Sequence, residues 1–269
     1  MTHLVLCLAA SFLLQAQPRT GTDFEKMRVL TESVMGKRAA TEGEVQELLT
    51  AALQDPDPSL RSQAVGSLAA ILTFSHLSQV PESLQWTVRL RGVAGALRPQ
   101  LEKAVDDPDP RVRSDALRGI VAPVAYASPG APLPIPMLRM LAAHFDKYRN
   151  ATDRGFVITA IQSSYRSEEP EARAISLALL KKALQEQDPY VVQAAGHSAT
   201  KSAAREILPL LVAQLKNPSY VARMAVAQGI ASYGAAAREY LPQLEAALAV
   251  ETHDITRKTI AGTITVITR

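Results

Sequence analysis

Asp107-Pro108-Asp109-Pro110-Arg111-Val112-Arg113-Ser114-Asp115-Ala116-Leu117 nearly restates Asp55-Pro56-Asp57-Pro58-Ser59-Leu60-Arg61-Ser62-Gln63-Ala64-Val65. A chain that repeats itself this way is a stack of similar units, each burying its apolar face against its neighbours. Each copy reads as a turn feeding a helix. Proline suits the first helical position, and an aspartate just before it accepts bonds from the free N–H groups and complements the positive end of the dipole. Asp57-Pro58 and Asp109-Pro110 therefore open helices. Upstream of each lies a second run with helical spacing: Leu48, Leu49, Ala52, Leu53 in one copy and Leu97, Leu101, Ala104, Val105 in the other. The unit is helix, short turn, helix.

Further copies emerge on aligning the apolar residue after the turn with the small residue one helical turn later. The pairs are Leu60/Ala64, Val112/Ala116, Phe156/Ala160, Val191/Ala195, Val221/Ala225 and Ile255/Thr259. One position on, Val65, Leu117, Ile161, Val226 and Ile260 are apolar, with Gly196 the exception. Small side chains in that column let adjacent helices approach closely. The first helix of the pair carries a proline at matching distance from the second-helix anchor, at Pro99, Pro209 and Pro242.

Paired helices with a proline in the first, an aspartate at the turn and Val-Arg opening the second resemble HEAT repeats, from about Glu44 to the C-terminus. The resemblance implies an all-α fold, a right-handed α-solenoid of about six HEAT-like helical hairpins over 44–269. It also implies a turn ladder of aspartate and arginine six positions apart, matched here by Asp55 with Arg61 and Asp107 with Arg113. On this alignment Val157, Val192, Ala222 and Thr256 stand where later arginines would be.

The start of the chain reads differently. Leu4 to Leu14 is an apolar run followed by Gln15-Ala16-Gln17-Pro18, the pattern of a signal peptide over residues 1–17 with cleavage after Ala16. The expectation is a secreted or periplasmic protein, or a cytoplasmic one if that segment is retained. The run is too short to span a membrane. Cys7, the single cysteine, would leave with it, so the mature chain would hold neither disulfides nor cysteine-ligated metal. Residues 23–43 read as an N-terminal capping helix, with Phe24, Met27, Leu30 and Val34 at helical spacing.

Two stretches interrupt the rhythm. Thr73 to Gln85 lengthens one interval, and Pro123 to Pro136 is read as a Pro-rich loop, since most of its residues are poor in helix. Elsewhere no run alternates polar and apolar as strands do.

Chemistry is sparse. His76, His144, His197 and His253 fall in different phases of different units, so no shared metal is expected, and no cofactor motif appears. Asp55, Asp57, Asp107, Asp109 and Asp188 sit at turns, where capping explains them. In stacks of this kind the second helices line a concave face, and Ser62, Arg118, Gln162, His197, Arg223, Arg257 and Lys258 would form a mixed, somewhat basic row on it. With a formal charge of +3 the reading is a non-enzymatic interaction or scaffold module for a protein partner, with no catalytic residue and no nucleic acid. The alternative implied by the same resemblance is an enzyme, like the alkylpurine DNA glycosylases or bilin lyases with HEAT-like folds. A single tryptophan, Trp86, gives little for stacking an extruded base.

Overall fold

The computed structural model describes residues 23–75, 80–127 and 130–269. The signal-peptide pattern, Cys7 and His76 lie outside the described residues. Every regular element among those described is helical, with fourteen α-helices joined by turns and short 3-10 segments. The chain divides into two compact units, with the break between Pro129 and Gly130.

The first unit contains α1 (Asp23–Val34), α2 (Glu42–Leu53), α3 (Pro58–Phe74), α4 (Gln85–Arg89), α5 (Arg91–Lys103) and α6 (Pro110–Ala127). Local chemistry fixes where the helices begin. Thr41 Oγ1 accepts from the Glu44 amide at 3.2 Å while Glu44 Oε2 accepts from the Thr41 amide at 2.7 Å, a complete capping box for α2. Asp57 accepts from the Ser59 amide at 2.8 Å with Pro58 in the first turn of α3. Helix α3 is the centre of this unit. Helices α1, α2, α4, α5 and α6 all pack on it, so Leu60, Ala64, Val65, Leu68 and Ile71 are sealed from solvent. From Ala64 to Ile71 every residue is buried, so this part of the helix presents no face to solvent. Helix α1 closes the stack through Met27, Leu30 and Val34.

The second unit contains α7 (Ile135–His144), α8 (Ala151–Ala160), α9 (Pro170–Ala183), α10 (Pro189–Ala199), α11 (Leu208–Ala213), α12 (Tyr220–Ala231), α13 (Leu241–Val250) and α14 (Asp254–Thr268). The second helices α8, α10, α12 and α14 form one layer, each packed on the next, and α11 and α13 lie outside it against α12 and α14. Helices α10 and α12 approach closely at Gly196. A Cβ there would lie 2.7 Å from the Ala225 carbonyl carbon and from the Val226 amide nitrogen, so the break in the apolar column at Gly196 is a requirement of backbone approach.

Two expectations are corrected. The Pro-rich stretch is not a loop over 123–136: α6 runs through Pro123 to Ala127, and Ile135 and Pro136 already belong to α7. Pro123 removes a single N–H and fixes a helical φ, a loss that a helix packed along one side absorbs. Pro136 sits in the first turn of α7, where no intrahelical donor is needed. Second, the column register slips in the second unit. Aligned on the capping residue, the buried position three residues on is Leu60, Val112, Asp153, Val191, Ala222 or Thr256. Phe156, Val221 and Ala160 are only half-buried and Ile255 is 61% exposed. Val221 and Ile255 each stand one residue before the true inward position, and the inward Asp153 is itself polar, so spacing alone selects the wrong residue.

Candidate functional site

The turns that link the two helices of each pair follow one design, and a groove opens beside one of them. Two residues before the cap, a side chain accepts the amide of the capping residue: Asp55 from Asp57 at 2.9 Å, Asp107 from Asp109 at 2.8 Å, Asn217 from Ser219 at 3.0 Å and Glu251 from His253 at 2.9 Å. Four residues after the cap stands an arginine whose Nη1 donates to the two carbonyls that open the same turn. Arg61 reaches the Asp55 and Pro56 carbonyls at 2.8 and 2.9 Å, Arg154 those of Tyr148 and Arg149 at 2.8 and 3.5 Å, and Arg223 those of Asn217 and Pro218 at 2.8 and 3.0 Å. Arg113 does the same, and so does Arg173 in the turn that leads from α8 to the next pair. The remaining nitrogens bind the acid of the following turn. Arg61 meets Asp107 at 2.8 and 2.9 Å, and Arg223 meets Glu251 at 2.7 Å through both oxygens. Arg154 faces Glu186 at 3.4 Å.

These pairs are partly buried. The Arg223 guanidinium first, then the His253 and Thr252 amides, hold the Glu251 carboxyl down to about 2 against the opposing effect of burial. Arg61 and Arg223 are raised, chiefly by their hydrogen bonds to Asp107 and Glu251.

Beside the Arg223–Glu251 pair, between α11 with its following 3-10 turn and α13, lies a groove of about 960 Å³. Its walls are apolar: Pro209, Val212, Ala213 and Leu215 on one side, Pro242, Ala246, Ala247 and Val250 on the other. Lys216, Tyr240 and Gln243 add polar groups. The same place in the first unit, between α2 and α5 beside Arg61 and Asp107, holds only about 220 Å³. Counted back from the turn acid, Lys103 occupies there the position that Ala247 holds in the second unit. Both residues line their respective pockets, so part of the difference in room is a lysine side chain replaced by a methyl group.

The residues expected on a concave row are distributed otherwise. Ser62 Oγ donates to Asp115, and Arg118 lies 3.9 Å from the same carboxylate, both within the first unit. Gln162 begins a 3-10 turn after α8 and is half-buried. His197, Arg257 and Lys258 are exposed on α10 and α14. Arg223 is not on that row at all: its guanidinium holds the turn and Glu251. Asp55, Arg61, Asp107 and Arg113 all lie in the turn network, with Asp55 also bound to Lys26 at 3.0 Å. No group of three or more His, Cys, Asp or Glu that could hold a metal ion occurs among the described residues. The groove escapes sequence reading because it is framed by first helices, whose alanines look like ordinary helix formers.

Residues 176–264 match the family model for HEAT repeats. They belong to the HEAT-repeat family. These HEAT repeats include α10 to α13 and most of α14, and hence the whole groove. No curated protein sequence matches the chain. Among solved structures it is similar to human deoxyhypusine hydroxylase in complex with glycerol, at 13% identity and a TM-score of 0.39, covering 99% of this chain and 98% of that one. The expectation of a non-enzymatic scaffold is thereby corrected. HEAT repeats show a repeat fold and carry no preference for scaffolding over catalysis.

Proposed function

We propose that this HEAT-repeat chain binds an elongated, largely apolar small molecule in the groove between α11 and α13. The observation that carries the reading is a cavity of about 960 Å³ with apolar walls and a few polar groups, within the roughly 300 to 1,000 Å³ typical of small-molecule sites. The counterpart between α2 and α5, at about 220 Å³, falls below that range. The apolar run from Leu4 to Leu14 supports binding outside the cytoplasm, by a chain exported and cleaved after Ala16.

The test is a titration of the full chain with a solvatochromic apolar dye such as Nile red. Saturable binding is expected, and Ala247→Trp should abolish it by filling the groove while leaving the circular-dichroism melt in place. Absence of saturable binding, or equal binding by Ala247→Trp, would overturn the proposal. Export is checked by the N-terminal mass of the protein recovered from a periplasmic fraction, which should begin at Gln17; an intact Met1 would refute it.

A further inference from the structure

Resting on the groove reading above, we infer that the ligand is a monoanion with a hydrocarbon tail, a free medium-chain carboxylate, with Lys216 as its anchor. The argument is an inventory of the polar groups that line the groove. Arg223 is fully engaged on its binding edges, with Nε and Nη2 on Glu251 and Nη1 on the Asn217 and Pro218 carbonyls. Glu251 is neutralised by it and further held by two backbone amides. Asn217 donates to Gln214 Oε1 at 2.9 Å and accepts from the Ser219 amide. None of the three can receive a ligand charge without dismantling the turn.

Besides Gln243, whose amide can both donate and accept, what remains is Lys216 and Tyr240. Lys216 is exposed and makes no ion pair among the described residues. An ammonium offers three donors and no acceptor. The Tyr240 hydroxyl, pushed up by burial and by the neighbouring Glu239, stays protonated and can donate. An anion-acceptor head is what such a set complements, and the alanine, proline and valine walls fit an alkyl chain. Helix α13 has ten residues and so runs about 15 Å, the length over which a tail can lie.

Calorimetry on the full chain, comparing decanoate, 1-decanol and vesicles containing phosphatidic acid, tests this. Decanoate should bind at least tenfold more tightly than 1-decanol, and Lys216→Glu should remove that preference while keeping the affinity for 1-decanol. Equal affinity for the two would overturn the anion inference and leave the groove reading standing. A preference that survives Lys216→Glu would overturn the role of Lys216. Binding to the vesicles without affinity for free decanoate would replace the free carboxylate by a lipid surface. Failure of every probe to bind wild type would remove the groove reading itself.

Discussion

At the scale of single residues, Arg61 and Arg223 hold Asp107 and Glu251 in partly buried ion pairs. Glu251 has its carboxyl held at about 2 in the folded chain against an ordinary 4.5. A depressed carboxylate contributes stability that is complete above its unfolded value and lost as pH falls, so the window runs from about 4.5 down to about 2. The contribution is on the order of 3 kcal/mol at most. Urea melts at stepped pH should therefore show wild type losing stability through that window, and Glu251→Gln showing a shallower fall from a lower plateau. Arg223→Ala should destabilise by about 3 kcal/mol, because it leaves a buried carboxylate without its cation. An unchanged melt would mean that the pair contributes nothing. Glycine gives a paired comparison. Gly196→Ala drives a Cβ to 2.7 Å from the Ala225 backbone and should cost about 1 to 3 kcal/mol. Gly262→Ala in α14 meets nothing within 4 Å and should gain about 0.5 to 1 kcal/mol from helix propensity. Opposite signs in thermal melts are the expected result.

At the scale of elements, most of the helices were legible and the reasons are local. Proline after aspartate, as at Pro58, Pro110 and Pro189, marks a helix start because both residues satisfy needs of the first turn. The Thr41–Glu44 box marks another, and Thr41→Ala should cost about 1 kcal/mol in a urea melt. The Asp-Arg spacing was legible in the first unit because Asp55 and Asp107 are both aspartates. In the second unit the accepting residue becomes Glu186, Asn217 or Glu251, and the arginines Arg154 and Arg223 keep their distance from the cap instead of from an apolar anchor. Counting from Phe156 and Val221 therefore hid them. The helical course through Pro123 was not legible either, because the stretch's proline content outweighed the packing that keeps α6 intact. The groove was invisible for a further reason: it depends on which first-helix side chains are short, and Ala246 and Ala247 carry no pattern that marks them.

At the scale of the whole molecule, stability rests on packing within two units, each with its own buried core. With Cys7 the single cysteine, no disulfide can form within the chain. Melting temperatures should be equal with and without reductant, and a drop on adding dithiothreitol would contradict that. Helices of the second unit are tied in sequence by α10 on α12 and α12 on α14, so stability there accumulates from neighbour to neighbour.

The arginine clamp has an evolutionary corollary. Its Nη1 bonds close entirely within one hairpin, and its link forward needs only an acid or amide at the next bend. A hairpin copied or lost as a block of genetic material would thus arrive with its own bend already secured, needing a single compatible side chain downstream. Such modularity lets tandem duplication change the length of the array while one copy, freed from strict likeness to the others, trims its outer side chains and acquires a cavity.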